Sequence, residues 1–315
     1  YLIFHEHISG LEFIRRTSDI HLQGLPVSLN GYQYQVFWEM REVWDDQYGR
    51  YGQLHDLLNG QGVTSIKESI KDLFLKPVRD SFSTAFNKQQ LSAINKFAAE
   101  IVKLSDSQLA AEKLASEITR SSVLVEQFIK TDLAANNVDF DYLKIKLSDE
   151  ATTATLRIWG LLRSIGKAVN PVEYPRFSRR LISELGLERP MTNILSSAGI
   201  PAEQIEGRIL LVKILCRYQH HLTKAKIDDS RQLFRTLLDD GQIHNFLGIN
   251  SFEGIIYFNQ EAFEDLTWWL TAITVVDLTN ANRPVDELLK LLQHWQGAAI
   301  RSEFQLEKLL EELEY

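Results

Sequence analysis

Period-two alternation dominates residues 22–43. Leu25, Val27 and Leu29 alternate with Pro26, Ser28 and Asn30. Beyond them Tyr32, Tyr34, Val36, Trp38 and Met40 share one face, with Gln33, Gln35, Glu39 and Arg41 on the other. This alternation predicts half-buried strands. Asn30-Gly31 between the two runs predicts a hairpin, because a two-residue primed turn needs positive φ at both central positions. Residues 1–7 alternate weakly and predict another strand, and residues 8–16 predict a turn or a short helix.

From Gln53 the period changes to 3.6. Leu54, Leu57 and Leu58 form one apolar turn that Asn59-Gly60 should close in a left-handed cap. Ser65-Ile66-Lys67-Glu68 fits a capping box, followed by a stripe of Ile66, Ile70, Leu73 and Phe74 that Pro77 is expected to interrupt. Phe82 and Phe86 then sit on a further short helix. Two long amphipathic stripes, 91–104 and 109–125, are joined by a short link and predict an αα-hairpin. Residues 136–139 predict a loop, and Leu143, Ile145 and Leu147 a brief strand or a helical turn.

Ser148-Asp149-Glu150 predicts a cap for a helix carrying Leu156, Ile158, Trp159, Leu161 and Leu162. Asn170-Pro171 and Tyr174-Pro175 make 166–175 the clearest non-helical break. Helical patterns follow at 177–185, 191–198, 202–221 and 227–238. Residues 249–254 break the pattern, 255–258 are β-prone, and Asn259 predicts the cap of a strongly apolar helix through Trp268 and Trp269. Pro284 opens another helix, and a charged amphipathic helix with Leu306, Leu309 and Leu310 ends the chain. The expected fold is mainly α: a small β element over 1–52, then a multi-helix region over 53–315, with a soft subdivision near 166–176.

Composition narrows the function classes. Net charge is −8, from 34 Lys and Arg against 42 Asp and Glu. That balance disfavours generic binding to nucleic acid or to an anionic membrane. No apolar run approaches the ~20 residues of a membrane-spanning helix, and a cytoplasmic location is expected. The single cysteine, Cys216, excludes an intrachain disulfide and a multi-thiolate zinc site, and its apolar helical setting reads as a buried thiol. The chain starts at Tyr1 without Met, so it is expected to be a piece of a longer polypeptide.

No catalytic constellation is visible. His5-Glu6-His7 would place two imidazoles on one strand face, but two ligands do not make a metal site. His220-His221 diverge on a helix. The acidic pairs Asp45-Asp46, Asp228-Asp229 and Asp239-Asp240 are adjacent in sequence, whereas a glycosidase pair faces across a bond from separate elements. Gly60-Gln61-Gly62 lacks the third glycine and the preceding strand of a phosphate loop. Arg176, Arg179 and Arg180 are a modest basic cluster, read as a solvated helix face. Accordingly no catalytic residue, metal or cofactor is assigned. The aromatic group Trp38, Trp44, Tyr48 and Tyr51 is a candidate sugar-stacking platform, with core packing as the blander alternative. The terminal helix could dock on a partner or pack on its own domain.

The runs His5-Glu6-His7-Ile8-Ser9-Gly10-Leu11-Glu12-Phe13-Ile14-Arg15-Arg16, Gly24-Leu25-Pro26-Val27-Ser28-Leu29 and Tyr32-Gln33-Tyr34-Gln35-Val36-Phe37-Trp38-Glu39-Met40-Arg41-Glu42-Val43 resemble the β segment beyond the catalytic barrel in large bacterial α-amylase-family glycoside hydrolases. Leu57-Leu58-Asn59-Gly60-Gln61-Gly62 looks like the start of the helical tail in such proteins. The resemblance covers about the first quarter of the chain. It implies that 1–52 is the remnant of a C-terminal β domain and that the catalytic barrel, with its Asp nucleophile and Glu acid/base, lies upstream. No catalytic residue carries over. The implied role is a non-catalytic accessory region of an α-glucan-acting enzyme. Its partners would be the enzyme's own barrel, α-glucan or a second copy. A helical protein-interaction scaffold unrelated to carbohydrate is the alternative.

Overall fold

A computed structural model describes residues 1–130, 146–281 and 283–314. The protein is mainly α with a small antiparallel sheet near its start, as expected. By internal contacts it forms two compact units, Tyr1–Pro77 and Val78–Tyr315.

The first unit is built on β1 (Leu2–Glu6), β2 (Leu11–Arg15) and β3 (Phe37–Glu42), in the order β2-β1-β3. Its hairpin is β1–β2, with Ile3 opposite Ile14 and Phe4 opposite Phe13. Residues 8–16 are therefore a turn and a strand. The Glu6 carboxylate accepts from the N–H groups of Ile8 (2.9 Å) and Ser9 (2.7 Å), which shapes the turn. The Ser9 hydroxyl first, and these N–H groups with it, hold the Glu6 carboxyl below its ordinary pKa.

The hairpin expected at Asn30-Gly31 is not formed. Residues 24–30 form no strand, and a short helix, α1 (Thr17–Gln23), precedes them. A turn does occur, but one residue later: the Gln33 N–H donates to the Asn30 carbonyl at 3.1 Å, and Tyr32 takes φ +64°. β3 pairs instead with β1. A bulge at Glu39, which has φ +50°, shifts the register between Ile3 and His5. It breaks the period-two face on which Trp38 and Met40 were placed. The face expected to be half-buried is thus exposed, Tyr32, Tyr34, Val36, Trp38 and Met40 included.

One side of the sheet packs on α2 (Arg50–Leu58) and the start of α3 (Ile66–Lys88) through Ile3, Ile14, Leu54 and Ile66, with Tyr51, Val63 and Ile70 around them. Phe4 meets Phe13 and Phe37 on the other side. Asn59 caps α2 in the left-handed conformation, and Ser65 Oγ accepts from the Glu68 N–H at 3.3 Å. Pro77 does not end the helix, as α3 continues to Lys88. An interior proline costs ~3 kcal/mol; full burial of Val78, Phe82 and Ala85 beyond it offsets that cost.

The second unit is helical. α4 (Leu91–Leu104) and α5 (Ala111–Lys130) pack as the expected αα-hairpin. The expected loop at 136–139 lies outside the described residues, as do Leu143 and Ile145. Asp149 caps α6 (Glu150–Leu162) by accepting from the Thr152 N–H at 2.9 Å. The break at 166–175 is a 3-10 turn, Ile165–Ala168, followed by a bend into α7 (Tyr174–Glu184). Next come α8 (Glu188–Ser197), α9 (Ala202–Arg217), α10 (Ser230–Leu238) and α11 (Gly241–Phe246). β4 (Asn250–Phe252) and β5 (Ile255–Tyr257) form a hairpin whose turn residues Glu253 and Gly254 both have positive φ. The break expected at 249–254 thus holds the first strand and the turn of this hairpin.

The core centres on α12 (Gln260–Asn280), which packs on α5, α9 and α13 (Asp286–Arg301). Apolar almost all round, it is buried on most sides. Two of its buried threonines satisfy their hydroxyls within the helix: Thr267 donates to Phe263 O and Thr274 to Leu270 O. Trp159, Trp268, Trp269 and Trp295 are fully buried. The last helix, α14 (Leu306–Glu312), lays Leu306 and Leu309 on its own unit beside α10 and α13.

Gly166 marks the tightest approach. A Cβ there would lie 2.1 Å from the Tyr174 carbonyl oxygen and 2.4 Å from the Ser178 nitrogen. Both neighbours are backbone and cannot swing away. Gly166→Ala is expected to destabilise the second unit by ~3 kcal/mol or more, read as a lower denaturation midpoint; an unchanged midpoint would contradict this packing.

Candidate functional site

Two regions carry site-like features, one in each unit. The first is the aromatic surface. Trp38 lies in β3, 47% exposed, with its ring 5.3 Å from the His5 imidazole. Trp44 follows β3 and is 89% exposed. Tyr48 is exposed with one edge against Phe74, and Arg50 lies over its ring at 5.2 Å. Tyr51 differs, being packed against the small core of the first unit. Three of the four candidate rings thus reach solvent and the fourth is structural.

His5 and His7 do not converge on a site. His5 Nε2 lies 3.2 Å from Glu12 and 3.4 Å from Glu39, whereas His7 sits in the turn after β1. Among the described residues no group of three or more His, Cys, Asp or Glu is arranged to hold a metal ion. Cys216 is fully buried, and burial pushes its thiol pKa up, which disfavours a nucleophilic role.

The second region is a cavity of about 260 Å³ in the second unit. Its floor is a polar chain. The buried Arg163 guanidinium donates two hydrogen bonds of 2.8 Å to Asp277 on α12. His220 Nδ1 lies 3.5 Å from Asp277 Oδ2, and its Nε2 is 2.5 Å from the Tyr174 hydroxyl. A carboxylate only accepts, so the proton belongs on Nδ1, leaving Nε2 to accept from the phenol. Burial alone would raise the Asp277 pKa; the hydrogen bonds from His220 and Arg163 outweigh it and hold the carboxyl below its ordinary value. Burial raises the Tyr174 phenol. Lys167 donates to Glu117 at 2.8 Å and lies over the Tyr174 ring. Ser164, 3% exposed, lines the cavity with its Oγ buried and without a hydrogen-bond partner.

A wider cleft of about 730 Å³ lies along α7, α9 and α11 and includes Arg176, Arg179 and Arg180. Arg176 and Arg180 are exposed, as on a solvated face, whereas Arg179 is half-buried. Arg179 pairs with Asp240 through both its terminal nitrogens, and Arg180 pairs with Glu184 at 3.1 Å. Asp240 also accepts from Tyr218, whose phenol is pushed up to about 12 by burial and by that carboxylate.

The cavity residues were missed because Arg163, Tyr174, His220 and Asp277 lie on separate elements at no fixed spacing. Only His220 was singled out, and then beside His221, which turns away to the Leu233 carbonyl. Compared with models of known protein families, with curated proteins and with solved structures, the chain matches none.

The Arg163–Asp277 pair yields a stability prediction. Asp277→Asn is expected to cost ~3 kcal/mol at neutral pH, because it leaves a buried guanidinium without its countercharge. The folded pKa of Asp277 is depressed, so this stabilisation is complete above the ordinary value of 3.8 and is lost as pH falls through the lower folded value. Chemical denaturation of wild type and variant should show a gap that is constant above about pH 5 and closes in acid; a gap independent of pH would contradict the assignment.

Proposed function

We propose that this chain is a non-catalytic accessory region of an α-amylase-type glycoside hydrolase, and that its first unit contacts α-glucan through Trp38, Trp44 and Tyr48. The observation that carries this reading is the exposure of those rings. Water penalises bare aromatic surface, and a pyranose ring offers an apolar C–H face of matching size. Of the twenty large apolar side chains exposed among the described residues, twelve fall within the first 57 positions. Exposed apolar residues clustered along the chain in this way supply the surface from which a contiguous binding face is built. The resemblance of the same stretch to the post-barrel segment of that enzyme family supports glucan as the ligand class.

A second reading rests on another observation. The outer edge of β3 pairs with no strand among the described residues, and the aliphatic Val27, Leu29, Val36 and Met40 are exposed nearby in sequence. An open edge with apolar flanks suits strand addition by a protein. The catalytic barrel region of the same enzyme is the partner the resemblance suggests; a second copy or an unrelated protein, with the chain as a scaffold, are the others.

Native gels containing soluble starch distinguish the two. The glucan reading expects retardation of the wild-type chain, weakened about tenfold in apparent affinity by Trp44→Ala and by Trp38→Ala, the scale of one aromatic contact. Unretarded migration of wild type would overturn it and favour the protein-contact reading.

A further inference from the structure

We propose that the cavity between Arg163, Tyr174, His220 and Asp277 is a binding site for a small phosphate-bearing molecule. The inference is independent of the glucan reading, which concerns the other unit.

Charge comes first. The cavity wall carries Arg120, Arg163, Lys167 and Arg283 against two carboxylates, Glu117 and Asp277. This excess of two positive charges sits on a chain whose net charge is −8. Asp277 is engaged by Arg163 and Glu117 by Lys167, and Arg120 and Arg283 make no ion pair among the described residues. A phosphomonoester dianion matches that excess, whereas a single carboxylate leaves one charge uncompensated.

Ser164 is an independent observation. A buried hydroxyl without a partner pays its desolvation cost with nothing in return, and such groups are few in native proteins. Ser164 is one of the residues lining the same cationic cavity, with its Oγ buried behind the surface. Turned about χ1 toward the cavity, the hydroxyl would donate to a phosphoryl oxygen, alongside charge-assisted bonds from the cations. The Tyr174 hydroxyl is held toward His220, so it shapes the wall. At about 260 Å³ the cavity lies below the ~300–1,000 Å³ usual for drug-sized ligands. It therefore suits phosphate with at most a small substituent.

Isothermal titration of the full chain at fixed ionic strength tests this with inorganic phosphate and glycerol 3-phosphate as probes and acetate as the control anion. Saturable binding of either phosphate compound, with none for acetate, is expected. Binding of inorganic phosphate alone identifies the free anion as the occupant, and tighter binding of glycerol 3-phosphate identifies an ester. Arg120→Met, at an exposed position, should weaken binding about tenfold without moving the unliganded denaturation midpoint. Ser164→Ala should raise that midpoint while weakening binding, a combination a purely structural serine would not give. Absence of saturable heat with both phosphate compounds, or unchanged affinity in both variants, would overturn the proposal.

Discussion

The second unit depends on burying one guanidinium. Arg163 follows α6, only 5% exposed, and its charge is met on every side. Asp277 of α12 takes two hydrogen bonds, Gln219 after α9 takes a third at 2.8 Å, and the Trp159 ring lies 4.2 Å from the guanidinium carbon. Its backbone carbonyl accepts from Ser178 of α7 and from the Gln219 amide. Four helical elements are thereby tied to one residue. A buried ion pair adds little net stability over an apolar substitute, but breaking one partner leaves a costly charge. Arg163 thus constrains which helices can meet and in what register.

The cavity follows from that constraint. Asp277 cannot leave Arg163, so His220 is drawn toward the carboxylate and Tyr174 toward the imidazole. Gly166 allows the turn after α6 to press on the start of α7, and its N–H donates to Ser178 Oγ at 2.9 Å. This close crossing brings Ser164, Lys167 and Tyr174 to one wall. The chemistry of the cavity is thus a by-product of how a single charge is buried.

In the first unit the corresponding group is Glu12. Its nearly buried carboxylate accepts from the Ile66 N–H at 2.5 Å and from Arg41 at 2.8 Å, with His5 at 3.2 Å. It joins the start of α3 to β1, β2 and β3. The backbone of Glu12 also bridges to Val63, which extends the pairing beyond β2. With the sheet held this way, the Ile3 and Ile14 side is covered by helices. The bulge at Glu39 and the open edge of β3 leave Trp38 and the segment before it toward water.

Helical periodicity and local caps were legible from residues alone: the Asn59 end, the Ser65 and Asp149 starts, the Asn259 cap and the α4–α5 pair depend on neighbours within a few positions. Trp44 and Tyr48 are exposed and Tyr51 is packed, a difference that nothing local in the sequence distinguishes. Strand pairing went otherwise than Asn30-Gly31 suggested, because β1 satisfies both its edges with β2 and β3 and leaves residues 24–30 unpaired. Pro77 likewise broke a local rule that burial farther along α3 overrode. The sequence by itself determined the helical class, most caps and the lack of a recognisable catalytic motif, since these rest on short-range hydrogen bonding and side-chain period. Only the tertiary structure decided the strand partners and the assembly of Arg163, Tyr174, His220 and Asp277, because contacts such as Leu2 with Glu42, Tyr174 with His220 and Arg163 with Asp277 are selected by packing and by the cost of burying charge, which no local pattern encodes.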